Sequence, residues 1–218
     1  MIELQDIWKF YGVKGNRKAV IGGLSAVFPA GRNVAVMGRN GAGKSTLLRI
    51  IGGSLRADFG EVVRHGKVSW PLGFAGGFHA ALTGRQNTRF VGRIYGVDTD
   101  ELVEYVSDFA ELGDFLDMPF QTYSSGMRAR LAFGVSMGIQ FDWYLVDEIT
   151  AVGDAPFRRK CDEVFATRLK DSQMIMVSHS NAQLQKYCDS AIILDNGTAR
   201  FFDDIDEGVA AYTELVGV

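Results

Sequence analysis

The residues best able to do chemistry in this 218-residue chain fall in three short runs. The first is Gly38-Arg39-Asn40-Gly41-Ala42-Gly43-Lys44-Ser45-Thr46, which satisfies G-x-x-x-x-G-K-[ST] completely. The glycines let backbone N–H groups converge on phosphate oxygens without side-chain obstruction. A helix that follows the loop aims its positive end at the same anion. Lys44 would reach the β- and γ-phosphates of a nucleoside triphosphate, and the Ser45 hydroxyl would hold Mg²⁺. A plain glycine-rich turn is the structural alternative. The apolar strand expected over Asn33–Met37 and the helix expected over Ser45–Ile51 place the run in the strand–loop–helix context that a phosphate site requires.

The second run, Tyr144-Leu145-Val146-Asp147-Glu148, carries two adjacent carboxylates to the end of an apolar stretch. In open α/β sheets ligands sit at the C-terminal ends of strands. Asp147 would bind Mg²⁺, directly or through water, and Glu148 would polarise an attacking water. Alone this pattern also fits a surface turn. The third run, Tyr123-Ser124-Ser125-Gly126-Met127, puts small hydroxyl and glycine residues before a helix. That describes either a second anion site at a helix N-terminus or an ordinary serine cap.

The elements that must hold these runs read as follows. Residues 2–10 alternate loosely and suggest an edge strand, and Ala19–Phe28 runs to a turn at Pro29-Ala30-Gly31. Leu72–Phe78 is glycine-rich and expected to be mobile or tightly turned. Thr83 with Gln86 forms a capping box, Asp98 with Glu101 repeats the signal, and a third helix follows Ser125-Gly126 to about Ile139. Trp143–Val146 and Met174–Val177 are continuous apolar strands of the kind buried in parallel sheets. Ala191–Leu194 and Thr198–Phe202 flank the hairpin pair Asn196-Gly197, and Asp204–Val216 reads as an amphipathic helix. Alternating strands and helices give a mainly parallel α/β core over residues 1–72 and 141–218, with a helical subdomain inserted at 73–140.

Hydrophobic residues make up 47% of the chain, enough for a sizeable core, while 23 basic and 26 acidic side chains give a net charge of −3. The basic residues form no block, which argues against nucleic-acid binding. Cys161 and Cys188 form no C-x-x-C pair and read as reduced thiols. No secretory signal and no apolar run of spanning length occurs, so direct lipid insertion is not expected.

Taken together the runs resemble the ATPase subunits of ABC transporters, across almost the whole chain. YSSGM stands in the place of that family's LSGGQ-type signature. Asp147-Glu148 matches its Walker B aspartate and catalytic glutamate, and Ala151-Val152-Gly153-Asp154 its D-loop. His179, in Val177-Ser178-His179-Ser180, matches the switch histidine at the γ-phosphate, and Tyr11 the aromatic that stacks on adenine. WPLGFAGGFHAALTGRQN, FAELGDFLDMPFQTYSSGMRARLAFG and VDEITAVGDA are similar in particular to the capsular-polysaccharide exporters. The resemblance implies a P-loop NTPase fold with a RecA-like core, N-terminal antiparallel strands and a helical insertion. It implies ATP and Mg²⁺ as cofactors, and catalytic roles for Glu148, His179 and Lys44. It also implies a homodimer in which Ser124, Ser125 and Gly126 complete the partner's site, with Asp154 in the D-loop. The other implied partner is an integral membrane permease, through which the chain sits peripherally on the cytoplasmic face of the inner membrane. Ser125 and Met127 depart from the signature glycine and glutamine, Gly153 departs within the D-loop, and Leu72–His79 lacks the usual Q-loop glutamine.

Teichoic-acid or O-antigen export, and a soluble ABC-type ATPase outside transport, are the competing readings. A GTPase is disfavoured by the absence of N-K-x-D, and a small-molecule kinase leaves YSSGM and His179 unexplained. His65 and His79 read as surface residues, Trp8 and Phe10 as core aromatics, and Arg128 and Arg130 as a solvated helix face.

Overall fold

The structure, a computed structural model, describes residues 1–13, 16–72, 77–147, 155–195 and 197–217. Contacts divide the chain into two compact units, one of residues 1–71, 141–148 and 172–218, the other of residues 72–140 and 149–171.

The first unit holds two sheets. In the smaller, β1 (Ile2–Val13) lies between β2 (Asn16–Phe28) and β4 (Phe59–Arg64), antiparallel to both. The expected edge strand is therefore a central one. Its second neighbour escapes the sequence pattern because β4 opens Phe59-Gly60, and glycine is a weak strand signal. That glycine is required, since a Cβ there would run into the Asp6 carbonyl. Trp8 and Phe10 are half-buried on this sheet, stacked at 5.8 Å, with the Trp8 indole N–H donated to Asp6 Oδ1. They are surface aromatics rather than core ones, because the indole keeps its polar edge on an exposed carboxylate.

The larger sheet runs β5-β6-β7-β3-β8-β9, with β5 (Val68–Pro71), β6 (Trp143–Asp147), β7 (Gln173–Val177), β3 (Val34–Gly38) and β8 (Ser190–Asp195) parallel. β9 (Thr198–Phe202) closes the edge antiparallel to β8. The hairpin expected of these strands is present, with Asp195 paired to Thr198, while Asn196 of the expected turn lies outside the described residues. β3 is buried at all five positions, which is why it reads as an unbroken apolar run. Helix α1 (Lys44–Ile51) buries Leu47, Leu48, Ile50 and Ile51 in the same core as Ile2, Phe28 and Trp143.

Asn33 ties three parallel strands together at their N-terminal ends. Its side-chain Oδ1 accepts from Met174 N–H at 3.0 Å, and its carbonyl accepts from Asp189 N–H at 2.9 Å. Its own N–H is donated to Asp189 Oδ2 at 2.8 Å. Two helices also belong to this unit, α6 (Asn181–Tyr187) and α7 (Ile205–Val216), the latter capped by Asp204, which accepts from Asp206 and Glu207 N–H.

The second unit is helical: α2 (Gly84–Tyr95), α3 (Thr99–Ala110), α4 (Ser125–Gly138) and α5 (Ala155–Arg168), with 3-10 turns at Gly113–Asp117 and Phe120–Thr122. The Thr83/Gln86 capping box is present in both directions, and Asp98 caps α3. Asn87 is fully buried in α2. It accepts from His79 N–H at 2.8 Å and donates to the carbonyls of His79, Leu82 and Thr83, so the turn preceding α2 is tied to the helix. Phe109 stacks on Phe133 and meets Phe157 edge-on at 5.4 Å, which brings α5 into this core. Arg128 and Arg130 do not point into solvent. Arg130 lies 4.2 Å over the Phe157 ring and Arg128 5.4 Å over Phe120, since a guanidinium on an aliphatic stem covers an aromatic face well. His65 and His79 are exposed, as expected.

Cys161 and Cys188 are free and buried, and burial pushes both thiols up to about 12. A raised thiol pKa keeps the unreactive neutral form. A thiol-specific disulfide reagent at pH 8 should therefore label neither cysteine in the native protein and both after denaturation. Replacing Asn33 with alanine strips the buried Met174 N–H of its acceptor, so Asn33→Ala should lower stability by about 1–3 kcal/mol, read as a lower urea midpoint at unchanged slope.

Candidate active site

Three strands bring the site together at their C-terminal ends. β6 and β7 run in register so that Asp147 lies beside Val177, and on the other side of β3 Gly38 lies beside Leu194. The chain leaves β3 through Gly38, whose φ of 151° lies outside the range that side chains tolerate well, and a Cβ there would stand 2.5 Å from the Leu194 carbonyl oxygen. The loop closes on itself through Ala42 N–H donated to Arg39 O at 3.0 Å. It then enters α1, whose cap residue Gly43 supplies no side-chain acceptor. The first N–H groups of this helix are thus left for an anion.

A cavity of about 400 Å³ opens over this loop. From the loop it is lined by Asn40, Gly41, Gly43, Lys44, Ser45 and Thr46. From the neighbouring strand ends come Asp147 and His179, and from β1 comes Tyr11, which is 46% exposed. The Lys44 ammonium donates to the carbonyls of Gly38 at 2.6 Å and Arg39 at 3.1 Å, which holds a cation at the mouth of the loop. His179 is exposed in the turn between β7 and α6. Its neighbours fix that turn, for Ser180 N–H donates to Ser178 Oγ and the Ser178 hydroxyl to Gln183 Oε1 at 2.8 Å.

Not every expected residue faces the cavity. Gly38, Arg39 and Ala42 belong to the loop but are not among its lining, and the Arg39 guanidinium is donated to the Leu215 carbonyl at 2.6 Å. Val20 and Val177 do line it. Sequence reasoning missed both, since a valine carries no chemical signal and only the register of β2 and β7 puts it there. Ser124, Ser125 and Gly126 lie at the start of α4 in the helical unit. Ser124 Oγ accepts from Met127 N–H at 3.2 Å, the ordinary cap geometry, while Ser124 and Ser125 remain exposed. Glu148, the Ala151–Asp154 segment and the glycine-rich residues 73–76 lie outside the described residues.

Residues 21–151 match the ABC transporter family. The chain is 50% identical to the polysialic acid transport ATP-binding protein KpsT of Escherichia coli, over 97% of this chain and 98% of that one. The chain belongs to the ABC transporter family. Another relative, the capsule polysaccharide export ATP-binding protein CtrD of Neisseria meningitidis serogroup B, is 42% identical over 99% of this chain and all of its own length. Among solved structures, a dimeric ATP-binding cassette in a post-hydrolysis state, bound to ADP and Pi, superposes with a TM-score of 0.74 at 19% identity. It covers 94% of this chain and 99% of its own. The P-loop NTPase fold of ABC cassettes, with its mixed sheet and antiparallel N-terminal strands, is therefore that of this ABC chain.

The close approach at the exit of β3 is directly testable. Gly38→Ala pushes a methyl against backbone rather than a movable side chain, and should cost about 1–3 kcal/mol of stability. It should also lose nucleotide retention on a filter-binding assay.

Proposed function

We propose that this chain is the ATP-hydrolysing subunit of an ABC exporter and that its cargo is a capsular polysaccharide. The observation that carries the reading is the single cavity in which Lys44, Ser45, Asp147 and His179 meet at adjoining strand ends. The donor set suits ATP with Mg²⁺. No cluster of three or more acidic, His or Cys residues that could cage a metal occurs among the described residues. Mg²⁺ is ordinarily held by one or two oxygen ligands together with the substrate's phosphates. Ser45 and Asp147 would supply those oxygens. When bound, the ion neutralises charge on the phosphates.

The remaining work falls to the chain itself. Tyr11 stacks on adenine, and backbone N–H groups of Asn40–Thr46 receive the phosphate oxygens. Lys44 moves its ammonium from the loop carbonyls to the terminal phosphates, and His179 holds the γ-phosphate. Glu148, one residue past β6, orients the attacking water. Each half-site neutralises a triphosphate incompletely. Ser124, Ser125 and Gly126 of a second copy, together with its D-loop residue Asp154, complete it, so ATP favours a closed dimer by differential binding. The dimeric cassette among the structural neighbours supports this assembly. Hydrolysis then reopens the pair.

No helix among the described residues is long and apolar enough to cross a membrane. We infer that a membrane permease holds the chain at the cytoplasmic face of the inner membrane. The names of the two relatives, in polysialic acid transport and capsule polysaccharide export, support the choice of cargo. Deletion of the gene should leave polymer inside the cell, whereas unaltered surface polymer would rule the cargo out. For the chemistry, Glu148→Gln should cut steady-state ATP hydrolysis about 100-fold or more and yield an ATP-dependent dimer on analytical ultracentrifugation. Turnover equal to wild type would remove Glu148 from the mechanism.

A further inference from the structure

We propose that Arg39 and Tyr212 are positioning residues that fasten the phosphate loop to the carboxyl end of helix α7, so that nucleotide and α7 stabilise one another. The proposal rests on the reading of the loop as an ATP site. It begins from the direction Arg39 takes. Its guanidinium leaves the cavity and donates to the Leu215 carbonyl at 2.6 Å, in the last turn of α7.

That turn has a physical need for it. The last carbonyls of a helix lack intrahelical donors and carry partial negative charge. The Thr213 carbonyl is met by Gly217 N–H at 3.0 Å, and no basic residue stands in the last turn of α7. The first turn carries Asp206 and Glu207, which suits its positive end. The cation that complements the other end comes from the phosphate loop, 176 residues earlier in the chain.

The second tie acts on the carbonyl that also holds the catalytic lysine. Tyr212 donates its hydroxyl to Gly38 O at 3.5 Å, a long contact, while the Lys44 ammonium sits on the same oxygen at 2.6 Å. When Lys44 turns to a bound phosphate, that carbonyl loses its strongest donor and the Tyr212 hydroxyl is placed to close on it. α7 is a firm anchor for both ties. Asp204 caps its start, Gln185 donates to Asp206 at 2.7 Å, and Gly208 sits against Ala191 and Met37 of the sheet. Binding and helix order are then linked, and linkage acts equally in both directions.

The test uses the full chain with Mg-ADP as probe. Arg39→Ala should weaken Mg-ADP binding about two- to fivefold, the equivalent of one helix-end charge contact. Arg39→Lys should recover part of the loss. Tyr212→Phe, which removes one oxygen and leaves the fold intact, should weaken binding as well. In steady-state hydrolysis the loss should fall on KM rather than kcat. In the wild type, Mg-ADP should slow amide hydrogen exchange at Gly217, and Arg39→Ala should abolish that protection. A wild type that binds Mg-ADP while Arg39→Ala and Tyr212→Phe bind it equally well, or while exchange in α7 ignores nucleotide, overturns the proposal and leaves the ATP reading standing. A wild type that binds no nucleotide overturns both.

Discussion

The parallel pairing of β3 with β7 and β8 decides where the chain must turn, and the turns are where the chemistry lies. Asn33 pins these strands at one end. Because the rise per residue is constant in extended strands, pinning one end levels the other. Gly38 and the residues after Val177 therefore emerge side by side, and the register of β6 on β7 sets Asp147 next to Val177. A loop bearing glycines and one lysine would bind phosphate weakly if the carboxylate and the histidine stood elsewhere. The sheet, rather than any single side chain, supplies the convergence.

Electrostatically the cavity is asymmetric. The loop offers helix N–H groups without a side-chain cap and the Lys44 ammonium, all suited to an anion, and the end of β6 adds the Asp147 carboxylate to the lining. Such a mixed lining suits a phosphate chain that arrives with a divalent cation. Tyr11 and Val20 add an apolar flank where a base can lie. Under the proposed dimer, the signature departures have a local reading. Ser124 Oγ accepts from Met127 N–H, which occupies that amide but leaves the Ser124 O–H, the Ser125 hydroxyl and the first backbone amides of α4 as donors for a facing nucleotide.

Much of this was legible in the sequence wherever a residue type has one dominant local use. Thr83, Asp98, Ser124 and Asp204 announce their helices because short polar side chains at those positions bond the first free N–H groups. The apolar runs of β3, β6, β7 and β8 announce burial on both faces. What stayed hidden depends on partners distant in sequence. β4 is not apparent without Asp6, against which Gly60 must fit. Arg128 and Arg130 look like solvated charges until Phe120 and Phe157 are brought beneath them. Arg39 reads as a phosphate ligand because its neighbours are, and only the chain's return through α7 redirects it.

The turn before α2 has a mechanical meaning. Asn87 binds it to the helix by four hydrogen bonds, and two main-chain bonds, Phe120 N–H to Leu82 O at 2.8 Å and Gln121 N–H to Ala80 O at 2.9 Å, join it to the segment leading into Ser124. None of these links passes through a side chain free to rotate. A push applied at Ala80 is therefore carried to the start of α4 with little slack, so this part of the helical unit behaves as a stiff lever arm rather than a cushion.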